Sequence, residues 1–369
     1  MFLRLGLDGT PFAFWQVKTF LRGVRFSHQA AANPWCEMQR IIVIGAAAGG
    51  GQALMQLMAA LPADFPLPVL VVLHVGPHPS LLPTLLSRTC RLPVAHAVHG
   101  EAIESGNIYV APPDHHLLVE DGRTVLTRGP KEHHTRPAVD PLFRSAALAY
   151  GRGAIGVVLT GQFDDGTSGL QAIKRAGGTT VVQDPGEAFV SSMLESALQH
   201  AEIDHCVSLA LMPALFASLA SQDMAAPDIT VSEANLDHEH ELSLRRGNAL
   251  EHLRAIAKPT TFACPDCHGG LWEILDSRPQ RYRCHTGHAF TLRTLEQAMS
   301  EGADDAIQNA LRALQEKRLL LEHMAEAERA DGSNAAAAAA IEAAAKRLKR
   351  QAEVLQELDQ DTYPPALQA

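Results

Sequence analysis

The chain has 369 residues, 46% of them hydrophobic, and a formal net charge of −10. That length suits two or three units of ordinary domain size, and the apolar share supports packed cores rather than wholesale disorder. The acidic balance and the lack of a long Lys/Arg run argue against nucleic acid, whose binding rests on phosphate neutralisation. No apolar stretch reaches the ~18–20 residues of a bilayer span, so membrane insertion is not expected and the protein should be soluble and cytoplasmic.

Residues 1–37 contain Phe, Trp and Arg but no sustained period, clean apolar core or small-residue cleavage site. The expectation is a disordered extension or a start codon placed upstream of Met38. From 38 to 222 the pattern changes. Ile41–Ile44, Val69–Leu73, Ala154–Leu159 and Thr179–Val182 are short, apolar and branched, as strands covered on both faces should be. Gln52–Leu61 carries Leu54, Met55, Leu57 and Met58 at helical spacing. This alternation predicts an α/β, doubly wound, mainly parallel sheet. Asn107–Val110, Leu117–Glu120 and Thr124–Thr127, with Asp121-Gly122 as a tight turn, predict an antiparallel segment.

Residues 223–258 are acidic, poor in apolar periodicity, and predict a linker. Residues 259–296 hold Cys264-Pro-Asp-Cys267, sixteen residues, then Cys284-His-Thr-Gly-His288. That spacing predicts a structural zinc site of Cys264, Cys267, Cys284 and His288, with His285 and then His268 as reserve ligands. Four protein ligands leave no open position, and so small a segment would draw its stability from the metal. The other cysteines, Cys36, Cys90 and Cys206, are scattered, which fits a reducing compartment better than a disulfide framework. Residues 297–362 predict a helical hairpin: Ile307, Leu311, Leu314, Leu321 and Met324 form one stripe, and Ile341, Leu348 and Leu355 another. Asp331-Gly332-Ser333-Asn334 separates them, and the hairpin is a surface through which the chain could self-associate.

Three strand ends in the α/β region carry unusual residues, and ligands of open parallel sheets meet the chain at such ends. They are Gly45-Ala46-Ala47-Ala48-Gly49-Gly50-Gly51, then His74-Val75-Gly76-Pro77, then Leu159-Thr160-Gly161-Gln162-Phe163-Asp164-Asp165-Gly166. Together with Tyr109-Val110-Ala111-Pro112-Pro113-Asp114-His115-His116 and Arg136-Pro137-Ala138-Val139-Asp140, this order resembles the chemotaxis protein-glutamate methylesterases, the CheB family. The likeness covers roughly 40–200. The Cys-Pro-x-Cys and Gly287-His288-Ala289 context is similar to an appendage on some methylesterase-like proteins.

The resemblance implies hydrolysis of glutamate methyl esters on methyl-accepting chemoreceptors by a Ser/His/Asp triad, with no cofactor for catalysis. The triad would fall on Ala47, His74 and Asp165. Ala48, Gly49 and Gln162 would lie near the oxyanion, Gln162 where the family implies Met. Such chemistry needs a hydroxyl on a tight turn, an imidazole to take its proton, and a carboxylate to orient the imidazole. A methyl group at 47 supplies no nucleophile, and loss of that group costs about 10⁶ in kcat in a serine hydrolase. Thr160 and Ser168 are the nearest substitutes in sequence. The family's phosphoacceptor domain is not expected before the first strand. The rival readings are a non-catalytic receptor-binding adaptor and a nucleotide-binding regulator. The second is disfavoured because Gly45–Gly51 lacks G-x-G-x-x-G spacing.

Overall fold

The computed structural model describes residues 40–76, 78–222, 234–275, 277–331 and 335–361, so the expectation for 1–37 lies outside the described residues. The α/β region begins with β1 (Ile41–Ala46), α1 (Gly50–Ala59), β2 (Val69–Leu73), α2 (Leu82–Leu86), β3 (Val94–His96) and β4 (Ile108–Val110). A hairpin, β5 (His116–Glu120) and β6 (Arg123–Thr127), precedes α3 (Val139–Tyr150) and β7 (Ala154–Val158). It closes with α4 (Thr167–Arg175), β8 (Thr179–Gln183), α5 (Ser192–His200), β9 (His205–Val207) and α6 (Met212–Ser221).

Seven strands form one sheet in the order β3-β4-β2-β1-β7-β8-β9, every neighbouring pair parallel. Alternate residues of β1 leave on opposite faces. Ile41 and Val43 join a core with α3, α4 and α5, while Ile42 and Ile44 join one with α1, α2 and α6. Burial on both faces is why β1 reads as an unbroken apolar run. The β5–β6 hairpin is antiparallel and packs Leu117 and Val119 on the α3 side. Residues 108–110, read with that hairpin from sequence, instead lie in the parallel sheet between β2 and β3. Strands this short carry no readable period; β3 and β9, also three residues each, gave no signal either.

The expected linker is corrected from residue 234 onward, while 223–233 lie outside the described residues. There α7 (Ala234–Leu244) and α8 (Ala249–Ile256) form, and α7 buries Glu239, His240 and Ser243. Burial of polar groups leaves no apolar stripe, which is why this helix read as linker. The cysteine segment is a four-stranded antiparallel sheet of β10 (Ala257–Ala263), β11 (Gly270–Ile274), β12 (Arg281–Cys284) and β13 (Ala289–Thr291).

Two long helices follow, α9 (Leu292–Asp331) and α10 (Ala335–Asp361), packed along each other. Leu311 and Ala325 on α9, and Ala338 and Ala345 on α10, are buried at positions seven or twice seven apart, as a two-helix seam requires. Met324, assigned to the stripe from sequence, is 46% exposed because Leu321 and Ala325 take the seam positions. Residues 332–334 lie outside the described residues. No described helix is long and apolar enough to cross a membrane.

Candidate functional site

β1, β2 and β7 are adjacent in the sheet, so their carboxyl ends bring Ala47, His74 and the 160–165 loop to one edge. The turn after β1 is tied across the sheet, with Ala47 N–H donating to the Thr160 carbonyl at 3.0 Å and His74 N–H to the Ala46 carbonyl at 3.0 Å. Gly49, which caps α1, has φ +78° and lies under Phe189, where a side chain would be both strained and crowded. A Cβ on Gly161 would collide with Met193 Sδ and meet the Ala47 methyl at 2.9 Å. Only bare backbone lets the 161 loop approach residue 47.

Asp165 is 1% exposed and anchors the site. Its Oδ2 meets His74 Nε2 at 2.6 Å and accepts the Val139 N–H at 2.7 Å. Its Oδ1 accepts the N–H groups of Asp140 and Gly166, both at 2.9 Å. Two of these donors open α3, where unpaired N–H groups and the helix dipole favour an anion. Burial pushes the Asp165 carboxyl up, but the charge of His133, the His74 hydrogen bond and the Val139 N–H outweigh it and hold the group low.

His133 is a second buried imidazole in this cluster, with Nε2 at 3.3 Å from Asp140 Oδ2 and 3.7 Å from Asp165 Oδ1. Burial depresses its pKa, yet the charges of Asp165, Asp140 and Glu132, with the Asp140 hydrogen bond, prevail and raise it to about 9. Asp140 Oδ1 in turn accepts the Gly166 and Gly169 N–H groups at 3.0 and 2.7 Å. His133, Asp140 and Asp165 lie close enough to chelate an ion. Their carboxylates are instead taken up largely by amide donors, while His133 Nδ1 is buried with no hydrogen-bond partner among the described residues. His116 is fully buried and structural: Nε2 donates to the Pro130 carbonyl at 2.8 Å and Nδ1 accepts the Ala138 N–H at 3.2 Å. Burial lowers its pKa to about 4, which keeps it neutral.

A cleft of about 320 Å³ opens here, lined by Ala47, Ala48, His74, Gln162 and Asp165, with His133, His134 and Thr135 along one side. Among the described residues, the N–H groups of Ala48, Gly49 and Gln162 have no hydrogen-bond partner within the chain. Unpaired donors beside residue 47 are what a developing oxyanion needs. Thr160 is buried, its hydroxyl engaged by Ala48 and Val190 carbonyls at 2.9 and 3.0 Å, and Ser168 lies within α4 away from the cleft. Neither substitutes for a hydroxyl at 47.

The remaining cleft wall comes from far along the chain: Thr294, Gln297 and Glu301 of α9. Sheet β10–β13 carries that helix to the site. Ala289 N–H donates to the Lys131 carbonyl at 3.1 Å, and His133 N–H to the Ala289 carbonyl at 2.8 Å. Beneath this contact Arg283, 1% exposed, meets Glu132 at 2.9 Å and Glu239 at 3.2 Å, while Arg144 meets the same Glu132 at 2.7 Å. Thr291 Oγ1 donates to Asp164 Oδ2 at 2.6 Å.

In the same sheet, Cys264, Cys267, Cys284 and His288 present ligand atoms all within 4.8 Å of one another. Cys267 Sγ lies 3.6 Å from Cys284 Sγ, and His288 Nδ1 lies 3.7 and 3.5 Å from Cys264 Sγ and Cys284 Sγ. Bonds of about 2.0–2.3 Å to a tetrahedral zinc would set such ligands roughly 3.5–3.8 Å apart, so the group could hold that ion. The Cys284 thiol is lowered to about 3 by the Cys264 hydrogen bond, with burial opposing and His288 and Thr286 adding, while Cys264 is raised. One sulfur already favours the thiolate that a metal requires. His285 and His268 are not members of this group.

The CheB methylesterase family profile matches residues 42–216. A protein-glutamate methylesterase/protein-glutamine glutaminase by name, from Leptospira interrogans, is 37% identical over 185 residues, which is 50% of this chain and 96% of that protein. The chain belongs to the CheB methylesterase family. Another member, from Anaeromyxobacter dehalogenans, is 38% identical over 194 residues, 52% of this chain and 57% of that protein. The Thermotoga maritima CheB methylesterase catalytic domain matches 49% of this chain and 98% of its own, at 33% identity and a TM-score of 0.47.

The CheB match stops before α7, so the cysteine sheet and α9 lie beyond it, although α9 reaches the cleft. Ala47, Ala48, His74, Gln162 and Asp165 line one cleft, Gly49 sits just behind it, and Cys264, Cys267, Cys284 and His288 gather in another place. His133, Asp140, Gln297 and Glu301 were not singled out from sequence. Asp140 sat in a motif quoted for the resemblance and could have been flagged there. The others carry no local signal.

Proposed function

We propose that the cleft is a chemosensory protein-glutamate methylesterase site, complete apart from its nucleophile. In this reading the chain binds glutamate methyl esters of a methyl-accepting chemoreceptor and does not hydrolyse them as it stands. The supporting observation is the Ala47 methyl at the head of a formed His74–Asp165 pair and three unpaired N–H groups. With serine at 47, its oxygen would attack the ester carbonyl while a His74 ring nitrogen takes the proton. Asp165 would stabilise the imidazolium, the Ala48 and Gln162 N–H groups would carry the oxyanion, and methanol would leave with the proton. Without that hydroxyl, the same groups amount to a binding site, which is the adaptor role.

The deciding experiment is Ala47→Ser, assayed by methanol release from methylated receptor. A gain of about 10³-fold or more over the parent, abolished by adding His74→Ala, supports the reading. A folded single mutant at background would leave the cleft without an esterase role. We also propose a structural zinc on Cys264, Cys267, Cys284 and His288, supported by their tetrahedral spacing. When bound, the ion would neutralise thiolate charge and pin β10–β13.

A further inference from the structure

We propose that Gln297 and Glu301 are specificity-determining residues of this cleft. They would favour esters carried on a polypeptide with neutral or basic neighbours over acidic ones. The inference deepens the reading of the cleft as an ester site and rests on it.

Three observations carry it. First, Thr294, Gln297 and Glu301 recur at three- and four-residue spacing, which sets one stripe of α9 against the cleft. Second, that wall is fixed. Thr294 is 3% exposed, Thr291 and Arg293 both engage Asp164, and the buried Arg283 would lose Glu132 and Glu239 if the sheet swung away. A substrate must therefore enter past α9 rather than displace it.

Third, Glu301 is the uncompensated charge at the rim. Asp165 is buried against His133, His74 and amide donors, His134 is tied to Asp266 at 3.0 Å, and Arg293 is turned to Asp164. Among the described residues no cation pairs with Glu301. Its Oε1 accepts only a neutral amide, Gln297 Nε2 at 2.7 Å, which holds the carboxylate in place without neutralising it. Glu301 is exposed at the rim, so its charge repels a neighbouring carboxylate and attracts an ammonium modestly and in a salt-dependent way.

The absence of a nucleophile makes the test simple, because the parent chain can bind an ester without consuming it. Two labelled peptides of equal length would each bear one γ-methyl glutamate, flanked by lysines in one and by glutamates in the other. Their Kd values for the full chain would be read by fluorescence anisotropy at low and high salt. The expected result is a preference of about three- to tenfold for the lysine-flanked peptide, weakened by salt. Glu301→Gln should level the two affinities and Glu301→Lys should invert them. Glu326→Gln, an exposed carboxylate farther along α9, should change nothing. Equal affinities in the parent, or a preference indifferent to residue 301, would overturn this inference and leave the ester site standing. Failure of the parent to bind either peptide would overturn both.

Discussion

Asp165 keeps a buried charge on backbone N–H groups and two imidazoles, whereas Cys284 sits among two other sulfurs, an imidazole and the Thr286 hydroxyl. Around the first lies a core of many Ile, Leu, Val and Phe side chains. Around the second, the buried cluster is Leu271, Tyr282, Phe290 and Leu295 with two of the cysteines themselves. The first site's charge is met by protein donors, whereas the second gathers three thiols and an imidazole, with the Thr286 hydroxyl 2.9 Å from Cys284 Sγ and 3.2 Å from Cys267 Sγ. The His74–Asp165 cluster should therefore persist under chelation, while the cysteine sheet, and with it the α9 wall of the cleft, should not.

The largest effect should follow metal removal. Purified chain is expected to carry about one zinc, and a strong chelator should unfold the β10–β13 sheet, since structural zinc in small domains contributes on the order of 10 kcal/mol. Near-ultraviolet signals from Trp272 and Tyr282 would report that loss, while amide protection in β1, β2 and β7 should persist. Retention of both through chelation would remove the contrast between the sites.

Next in size, Asp165→Asn in an Ala47→Ser background should lower kcat about 10⁴-fold, as loss of the orienting carboxylate does in a serine protease. A loss of less than tenfold in the methanol assay would mean the carboxylate is only architectural.

A third comparison sets buried charge against exposed charge. Arg283→Ala removes one buried cation shared by Glu132 and Glu239, which keep Arg144 and Arg281, and should cost about 2–3 kcal/mol. Arg318→Ala breaks only the surface pair with Glu322 and should cost roughly 0.5 kcal/mol or less. Urea midpoints of the two variants settle the matter, and equal values would refute the account of how the sheet is held on the CheB domain.

The smallest effect concerns pH. Opposing burial, Asp165, Asp140 and Glu132 raise the His133 pKa from 6.5 to about 9, so its stabilisation is full below 6.5 and drains away as pH climbs through 9. The urea midpoint of the parent should fall across that window, and His133→Asn should flatten the fall. A parent curve already flat between about pH 7 and 10 would show that His133 is neutral in the folded chain.

Much of this protein was legible in its residues because the signals are local. Branched apolar runs announced β1, β2, β7 and β8, and the glycine turn, His74 and the Asp165 loop stood at strand ends in family order. The Cys264–His288 spacing marked a metal-type loop pair. Ala47 could be read only against the resemblance, since alanine by itself signals nothing. The misreading of α7 has one cause. Glu239 and Ser243 face inward, and a helix that buries polar groups looks like linker to any apolar pattern.

What tertiary structure alone decided is which distant segments share a surface. Glu132 and Arg283 are 151 residues apart, yet each is the other's counter-charge, and neither is distinguishable in sequence from a solvated surface residue. The same docking brings Gln297 and Glu301 to the cleft, from a helix whose periodicity announces only its seam with α10. Spacing along the chain encodes contacts a few residues apart. Contacts between modules depend on which buried charge finds its partner, and that pairing exists only once the chain has folded.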